Sequence, residues 1–351
     1  MNPIHPKMLK MANDAAIYTL YLYLAHRTDP TDQESLRTII EGLEVTAESE
    51  NWSVRELFRL RILRNAVEQS SVLADSKIGN LTRSESGSTS CSFTNPKGDV
   101  FVVFRGTGGG EWIDNGEGLS GVPEENTYIT YKENGEVEES LTIQNDYATD
   151  QQVEALNWFC RIAAENGWTS NTRITLAGHS KGGNKAQFIT IHSDLVDECF
   201  SFDGQGFSPE AVAAFKKQHS AEFAARRRKI RSLSADNDYV NVLGERLMPD
   251  TQIYYFESSL GFHYLETMLD ANGYFLPQSK QGKLSQYMET VSKELMDRRP
   301  AVRQIVTLGV MNVFQQYLGK ETPVNADAVS LEKTIAGIAM AVDTLLDAAA
   351  F

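Results

Sequence analysis

The sequence has few of the residues that bind metals or form disulfide frameworks. Of 351 residues, only three are cysteine (Cys91, Cys160 and Cys199) and only six are histidine. The cysteines are odd in number and lack metal-ligand spacing, and no His-Glu-x-x-His motif occurs. We therefore expect neither a disulfide framework nor a zinc site, and no other metal or cofactor.

Basic residues are also scarce. The chain has 33 lysines and arginines against 47 aspartates and glutamates, which gives a net charge of −14. Such a surface repels a phosphate backbone, so the composition predicts no nucleic-acid binding. The basic run Arg226–Lys229, followed by Arg231, is typical of a solvated helix end rather than an anion site.

Long hydrophobic runs are absent from the sequence. No apolar stretch approaches the ~20 residues that span a bilayer. The stretch Ala15–Ala25 has the length of a signal-peptide core, but it is rich in tyrosine and lacks a small-x-small cleavage site, so it predicts a core helix. With 41% hydrophobic and 23% charged residues, the composition is that of a soluble globular protein. We expect a cytoplasmic protein without stable membrane insertion.

The spacing of apolar residues divides the chain into three regions. Residues 1–80 predict helices packed on the core, with a capping box at Ser53–Glu56. Residues 81–275 alternate between strands and helices, beginning with the short apolar run Asp99–Thr107, and predict a mostly parallel sheet covered by helices. Residues 276–351 return to helix. The fold class predicted is α/β, with helical additions at both ends.

The C-terminal region carries an apolar stripe with alternating spacings of three and four residues: Ile335, Ile338, Val342, Leu345 and Ala349. Such a stripe is one face of an amphipathic helix. Packing on the chain's own core is favoured, and oligomer formation through the C-terminal helices is the alternative.

A sharp turn is predicted at Gly178-His179-Ser180-Lys181-Gly182. It lies between a predicted strand at Arg173–Ala177 and a predicted helix at Lys181–His192, which is the context of a nucleophile elbow. A serine in such a strained turn needs neighbours without Cβ atoms, because the flanking backbones pass close together. The turn also places Ser180 at a helix N-terminus, where the N–H of Lys181 favours developing negative charge.

A serine nucleophile needs a base, which a third group orients. In α/β-hydrolases the order along the chain is serine, acid, histidine. Three histidines follow Ser180, of which His192 lies on the elbow helix and His219 in a polar helix tail. His263 lies in a loop after a predicted strand, where a side chain reaches over the strand end. His263 is therefore the predicted base.

The best candidates for the acid are Asp236 and Asp238, directly after a predicted strand. Asp238 is favoured because Asn237-Asp238-x-Val240 allows a turn that presents the carboxylate. Asp203, at the end of the preceding strand, is the fallback.

Four motifs together resemble a known family: VFVVFRGTGGGEWIDN, ITLAGHSKGGNKA, NDYVNVLG and GFHYLE. They look like the class 3 (fungal-type) lipases, and more closely like an uncharacterised lipase-like bacterial branch with G-H-S-K-G-G and F-R-G-T motifs. The resemblance covers roughly Val100 to Leu269. It implies an α/β-hydrolase fold, a triad of Ser180, Asp238 and His263, and an oxyanion hole formed by Thr107 with the N–H of Lys181.

The activity implied is cleavage of a small-molecule carboxylic ester through an acyl-enzyme intermediate, without a cofactor. Acyl transfer or phospholipase activity with the same triad is one alternative, and a non-catalytic interaction protein that retains the fold is another. The sequence departs from the family at Lys181, where many lipases have an apolar residue.

The family commonly has a helical lid after the tryptophan that Trp112 matches. Here the corresponding stretch, residues 127–143, has two β-prone runs around Asn134-Gly135, which predicts a hairpin insertion with a type I′ turn. The hairpin is rich in glutamate: Glu133, Glu136, Glu138 and Glu139. We therefore expect no activation at a lipid interface.

Overall fold

An eight-stranded sheet forms the centre of the computed structural model, which describes residues 3–259 and 263–318. The strands, in spatial order, are β1 (Lys77–Arg83), β2 (Thr89–Thr94), β3 (Val100–Phe104), β6 (Ile174–His179), β7 (Glu198–Phe202), β8 (Ile230–Ala235), β9 (Ile253–Phe256) and β10 (Gln278–Ser279). Strands β3, β6, β7, β8 and β9 are parallel, and the edge strands are antiparallel. The predicted α/β class with a mostly parallel sheet is confirmed.

Helices cover both faces of this sheet. They are α1 (Pro6–Tyr21), α2 (Leu36–Ser49), α3 (Val54–Gln69), α4 (Ser71–Ala74), α5 (Trp112–Ser120), α6 (Asp150–Glu165), α7 (Lys181–His192), α8 (Pro209–Gln218), α9 (Phe223–Arg226), α10 (Lys283–Met296) and α11 (Pro300–Leu318). Helix α3 starts at the predicted capping box, in which Ser53 and Glu56 each accept from the other's backbone N–H.

Strand β3 shows how the two faces divide. Phe101 and Val103 belong to a core shared with the N-terminal helices α1–α4, whereas Val100, Val102 and Phe104 belong to a second core with α6, α7 and α8. Successive side chains of a strand point to opposite faces, so a run that is apolar at every position marks a strand buried on both sides.

Two strands, β1 and β2, precede the first strand that the sequence predicts, the run Asp99–Thr107. Strand β1 spans the expected boundary at residue 80, and β2 follows it as an antiparallel neighbour. The sequence does not predict β2, because the strand is rich in small polar residues. Ser90 and Ser92 are nevertheless buried.

Helix α11 packs against α5, the helix that follows β3. The rings of Trp112 and Phe314 lie 5.4 Å apart, and the backbone N–H of Trp112 donates to Gln315 Oε1 at 3.3 Å. The apolar stripe at 335–349 lies outside the described residues. No helix in the described part of the chain is both long and apolar enough to cross a bilayer.

A separate two-stranded hairpin lies between α5 and α6. Its strands are β4 (Glu124–Tyr131) and β5 (Val137–Asp146). The prediction of a type I′ turn at Asn134-Gly135 is wrong. Such a turn needs a positive φ at both central residues, but only Gly135 has one, of 78°. Lys132 and Glu136 close a three-residue loop, with the N–H of Lys132 donating to Glu136 O. A loop of this length places one glycine in the left-handed region instead of two consecutive residues.

Candidate active site

Ser180 occupies a strained turn between β6 and α7. Its backbone angles are φ 59° and ψ −122°, a region that non-glycine residues rarely adopt and that is maintained where the surroundings enforce it. Its N–H donates to Phe202 O at 2.9 Å. The adjacent glycines are required sterically, since a Cβ at Gly178 would lie 2.8 Å from Gly183 N and one at Gly182 would lie 2.6 Å from Arg105 O.

Asp238 and His263 lie together beyond the ends of β8 and β9. The Asp238 side chain is fully buried, and its Oδ1 lies 2.7 Å from His263 Nδ1. Its Oδ2 accepts from the backbone N–H groups of Val240 at 3.1 Å and Asn241 at 2.6 Å. A carboxylate can only accept at Oδ1, so the proton of His263 sits on Nδ1 and leaves the Nε2 lone pair free.

Nε2 of His263 is buried and has no hydrogen-bond partner among the described residues. Ser180, which is partly exposed, is therefore not hydrogen-bonded to it in this structure. Catalytic hydrogen bonds are often long before substrate binds.

The other candidate residues for the triad have different partners. Asp236 is partly exposed and accepts from Asn237 Nδ2 at 3.4 Å. His192 and His219 pack against each other with ring centroids 4.7 Å apart. Burial lowers the pKa of His192 to about 3. Neither histidine lies with Asp238.

Asp203 lies beside this pair, at the end of β7. It has a positive φ of 48° and is fully buried. Its Oδ1 accepts from the N–H of Ala235 at 2.9 Å, and its Oδ2 lies 3.6 Å from His179 Nε2. Burial, together with the nearby charge of Asp238, raises the pKa of Asp203 well above its usual value. Burial, with smaller effects of His263 and Arg59, lowers the pKa of His179.

Tyr23 connects the N-terminal region to the site, although the sequence pattern does not predict this. Its hydroxyl lies 2.6 Å from His179 Nδ1 and accepts from the N–H of Gly106 at 3.2 Å. The guanidinium of Arg59 lies 4.4 Å from the centre of the Tyr23 ring. Burial raises the pKa of Tyr23 to about 12. No local motif marks this residue, because its role depends on contacts 83 and 156 positions away along the chain.

The loop after β3 passes next to the serine. A Cβ at Gly106 would lie 3.2 Å from Ser180 Cβ. Oγ1 of Thr107, the next residue, accepts a hydrogen bond from Asn115 Nδ2 at 3.0 Å. The N–H of Lys181 is the first of α7 and has no partner within the helix. The two predicted oxyanion donors therefore belong to segments that meet at Ser180.

Two buried lysines on α7 join these segments. Lys181 Nζ forms an ion pair with Asp114, at the start of α5, and is fully buried. Lys185 Nζ pairs with Glu111 and donates to Ser88 Oγ at 2.7 Å. The second carboxylate oxygen of Glu111 accepts from the N–H of Gly108 at 2.6 Å. The side chain of Lys185 thus holds the loop after β3 against the elbow helix, and that of Lys181 holds the start of α5 there.

One group of side chains in the described residues has the composition of a metal site. His179, Asp203 and His263 each offer a ligand atom, and these atoms lie within 4.8 Å of one another.

Comparisons with known proteins give a family model and solved structures that match part of the chain. A family model described as Mbeg1-like matches residues 127–242, a stretch that includes the elbow and Asp238 but not His263. The crystal structure of M37 lipase is 12% identical, with a TM-score of 0.33, and the match covers 55% of this chain and 64% of that chain. None of the curated proteins matches the chain. The assignment to the α/β-hydrolase fold therefore rests on the sheet order and the elbow.

Proposed function

We propose that the protein is a serine hydrolase that cleaves carboxylic esters through an acyl-enzyme intermediate. The observation that carries this proposal is the strained Ser180 elbow beside a hydrogen-bonded pair of buried Asp238 and partly exposed His263, whose ring lies against that of His179. Strain of this kind is maintained at functional sites, and a free Nε2 on an oriented histidine is what a serine nucleophile requires.

In the proposed reaction, Ser180 Oγ attacks the ester carbonyl and His263 Nε2 accepts its proton. Asp238 stabilises the resulting imidazolium, while the N–H groups of Lys181 and Thr107 bind the oxyanion. His263 then gives the proton to the leaving alcohol, and water releases the acid by the reverse sequence. An acceptor other than water would use the same residues and yield a new ester or amide.

A fluorophosphonate probe tests the proposal directly. The wild-type protein should be labelled and Ser180→Ala should not, while Ser193→Ala, a partly exposed serine after α7, should be labelled as wild type. Absence of labelling in the wild type would favour a non-catalytic interaction protein. A series of p-nitrophenyl esters of increasing chain length, with Ser180→Ala as the blank, then defines the acyl preference.

A further inference from the structure

Three buried polar atoms at the same place in the fold have no hydrogen-bond partner among the described residues. They are Nε2 of His179, Oδ2 of Asp203 and Nε2 of His263. His179 is 4% exposed and Asp203 is not exposed at all. Leaving a buried polar atom unpaired is unfavourable, so such atoms normally have a hydrogen-bond partner. Ser180 accounts for Nε2 of His263 during catalysis, but the proposed reaction uses neither of the other two atoms.

In His179 and His263, the other ring nitrogen, Nδ1, already has a hydrogen-bond partner. His263 Nδ1 lies 2.7 Å from Asp238 Oδ1, and His179 Nδ1 lies 2.6 Å from the Tyr23 hydroxyl. Metal-binding histidines almost always have such an outer partner. Asp238 accepts from His263 Nδ1 and leaves the lone pair on Nε2, whereas the Tyr23 hydroxyl can donate or accept, so His179 binds a metal in the tautomer whose Nδ1 donates to Tyr23.

The spacing of one pair of ligand atoms is close to that of a tetrahedral centre. Metal–nitrogen and metal–oxygen bonds of about 2.0–2.1 Å place neighbouring ligands about 3.3 Å apart. His179 Nε2 and Asp203 Oδ2 are 3.6 Å apart, and the rings of His179 and His263 have centroids 4.8 Å apart. The three ligand atoms lie within 4.8 Å of one another, so binding requires the side chains to move closer together around the ion.

We propose that His179, Asp203 and His263 bind one Zn²⁺ ion, with the fourth position open to water or to Ser180. Two nitrogens and one carboxylate oxygen suit zinc better than Mg²⁺, which prefers oxygen ligands in an octahedral arrangement. The positive charge of the ion would stabilise Asp203 as a carboxylate, the form that burial disfavours. Since His263 is also the base of the proposed function, bound Zn²⁺ excludes serine catalysis and acts as a reversible inhibitor. Binding itself does not depend on that function.

Binding is tested by titrating the full chain with Zn²⁺ in a calorimeter, with Mg²⁺ as the comparison ion. We expect one Zn²⁺ per chain, an affinity at least ~10-fold lower in Asp203→Asn and in His179→Gln, and no response to Mg²⁺. Two ligand variants are used so that, if one of them fails to fold, the other still tests the site.

The matched control is His219→Gln. The His192–His219 pair has ring centroids 4.7 Å apart and, among the described residues, its Nε2 atoms have no hydrogen-bond partner and it belongs to no metal-like group with a carboxylate. Zinc binding should be unchanged in this variant. A wild type that binds no Zn²⁺, or binding that His219→Gln abolishes and Asp203→Asn retains, would overturn the inference.

The inhibitory step has its own measurement. Zn²⁺ should slow fluorophosphonate labelling of Ser180 in the wild type, and a chelator should restore it. Labelling that is insensitive to Zn²⁺ bound at these residues would refute inhibition. If the wild type is never labelled, the proposed function fails while the calorimetry still decides whether the ion binds.

Discussion

Replacing Asp238 by asparagine should abolish most of the proposed activity because of the direction in which the amide must point. Oδ2 of Asp238 accepts from two backbone N–H groups, those of Val240 and Asn241. An amide nitrogen cannot accept, so the carbonyl oxygen of the asparagine must take this position. Its NH₂ group then faces His263 Nδ1, which has to become the acceptor. The ring proton moves to Nε2, and His263 can no longer take a proton from Ser180.

The expected loss is large although the substitution is nearly isosteric. Stabilising the wrong tautomer in a serine triad lowers kcat by about 10⁴-fold, or ~5.5 kcal/mol of transition-state stabilisation. The two backbone hydrogen bonds survive, so the fold should be intact. Turnover of a short-chain p-nitrophenyl ester and the urea midpoint of unfolding measure the two effects separately.

Asp236→Asn is the matched control, because this carboxylate is two residues away and partly exposed. It should change kcat much less. A larger loss in Asp236→Asn than in Asp238→Asn would refute the assignment of the acid. If neither substitution matters, Asp203 becomes the candidate.

Three further outcomes are expected. Gly182→Ala should destabilise the protein by about 1–3 kcal/mol or more, since its Cβ would meet backbone at Arg105 O. Gly42→Ala is the control: a Cβ there would have no neighbour within 4 Å, so this change should be neutral or stabilising by about 0.5–1 kcal/mol. Equal urea midpoints of unfolding for the two variants would contradict the close approach at Gly182. Burial, with the nearby Asp114, raises the pKa of Glu117 to about 7, so its stabilising contribution is complete below its unfolded pKa near 4.5 and is lost as the pH rises through 7. Glu117→Gln should therefore raise the free energy of unfolding relative to wild type at pH 8 but not at pH 4.5, and an equal change at both would show that titration is not the cause. Because the exposed hairpin β4–β5 is rich in glutamate, the rate with a short-chain ester should stay hyperbolic through its solubility limit, whereas a jump when droplets form would indicate activation at a lipid interface.

The parts of the site that are local in sequence are the parts that the sequence predicts. The elbow around Ser180 is a contiguous pattern of small residues between a strand and a helix, and the structure has those elements there. Asp238 and His263 follow from the order of strands, and the structure places them in contact; their catalytic roles stay predictions. Tyr23 could not be found in this way, because nothing in a helical segment shows which tyrosine will reach a distant loop.

Turn geometry and strand edges are predicted less well. The sequence Asn134-Gly135 favours one hairpin turn in isolation, but the length of the loop closed by Lys132 and Glu136 selects another. Strand β2 is buried although it is rich in serine and threonine, since neighbouring elements cover it. Tertiary surroundings decide both cases.

The buried pair of Lys181 and Asp114 makes the elbow difficult to exchange for that of another enzyme. Grafting an apolar residue at Lys181, as many lipases have, would leave the carboxylate of Asp114 buried without its cation. Loss of one member of a buried ion pair typically costs about 3–5 kcal/mol, whereas replacing both members by packed apolar groups is often neutral. The two positions are therefore coupled, and during divergence or redesign they have to change as a unit, although 67 residues separate them in the chain.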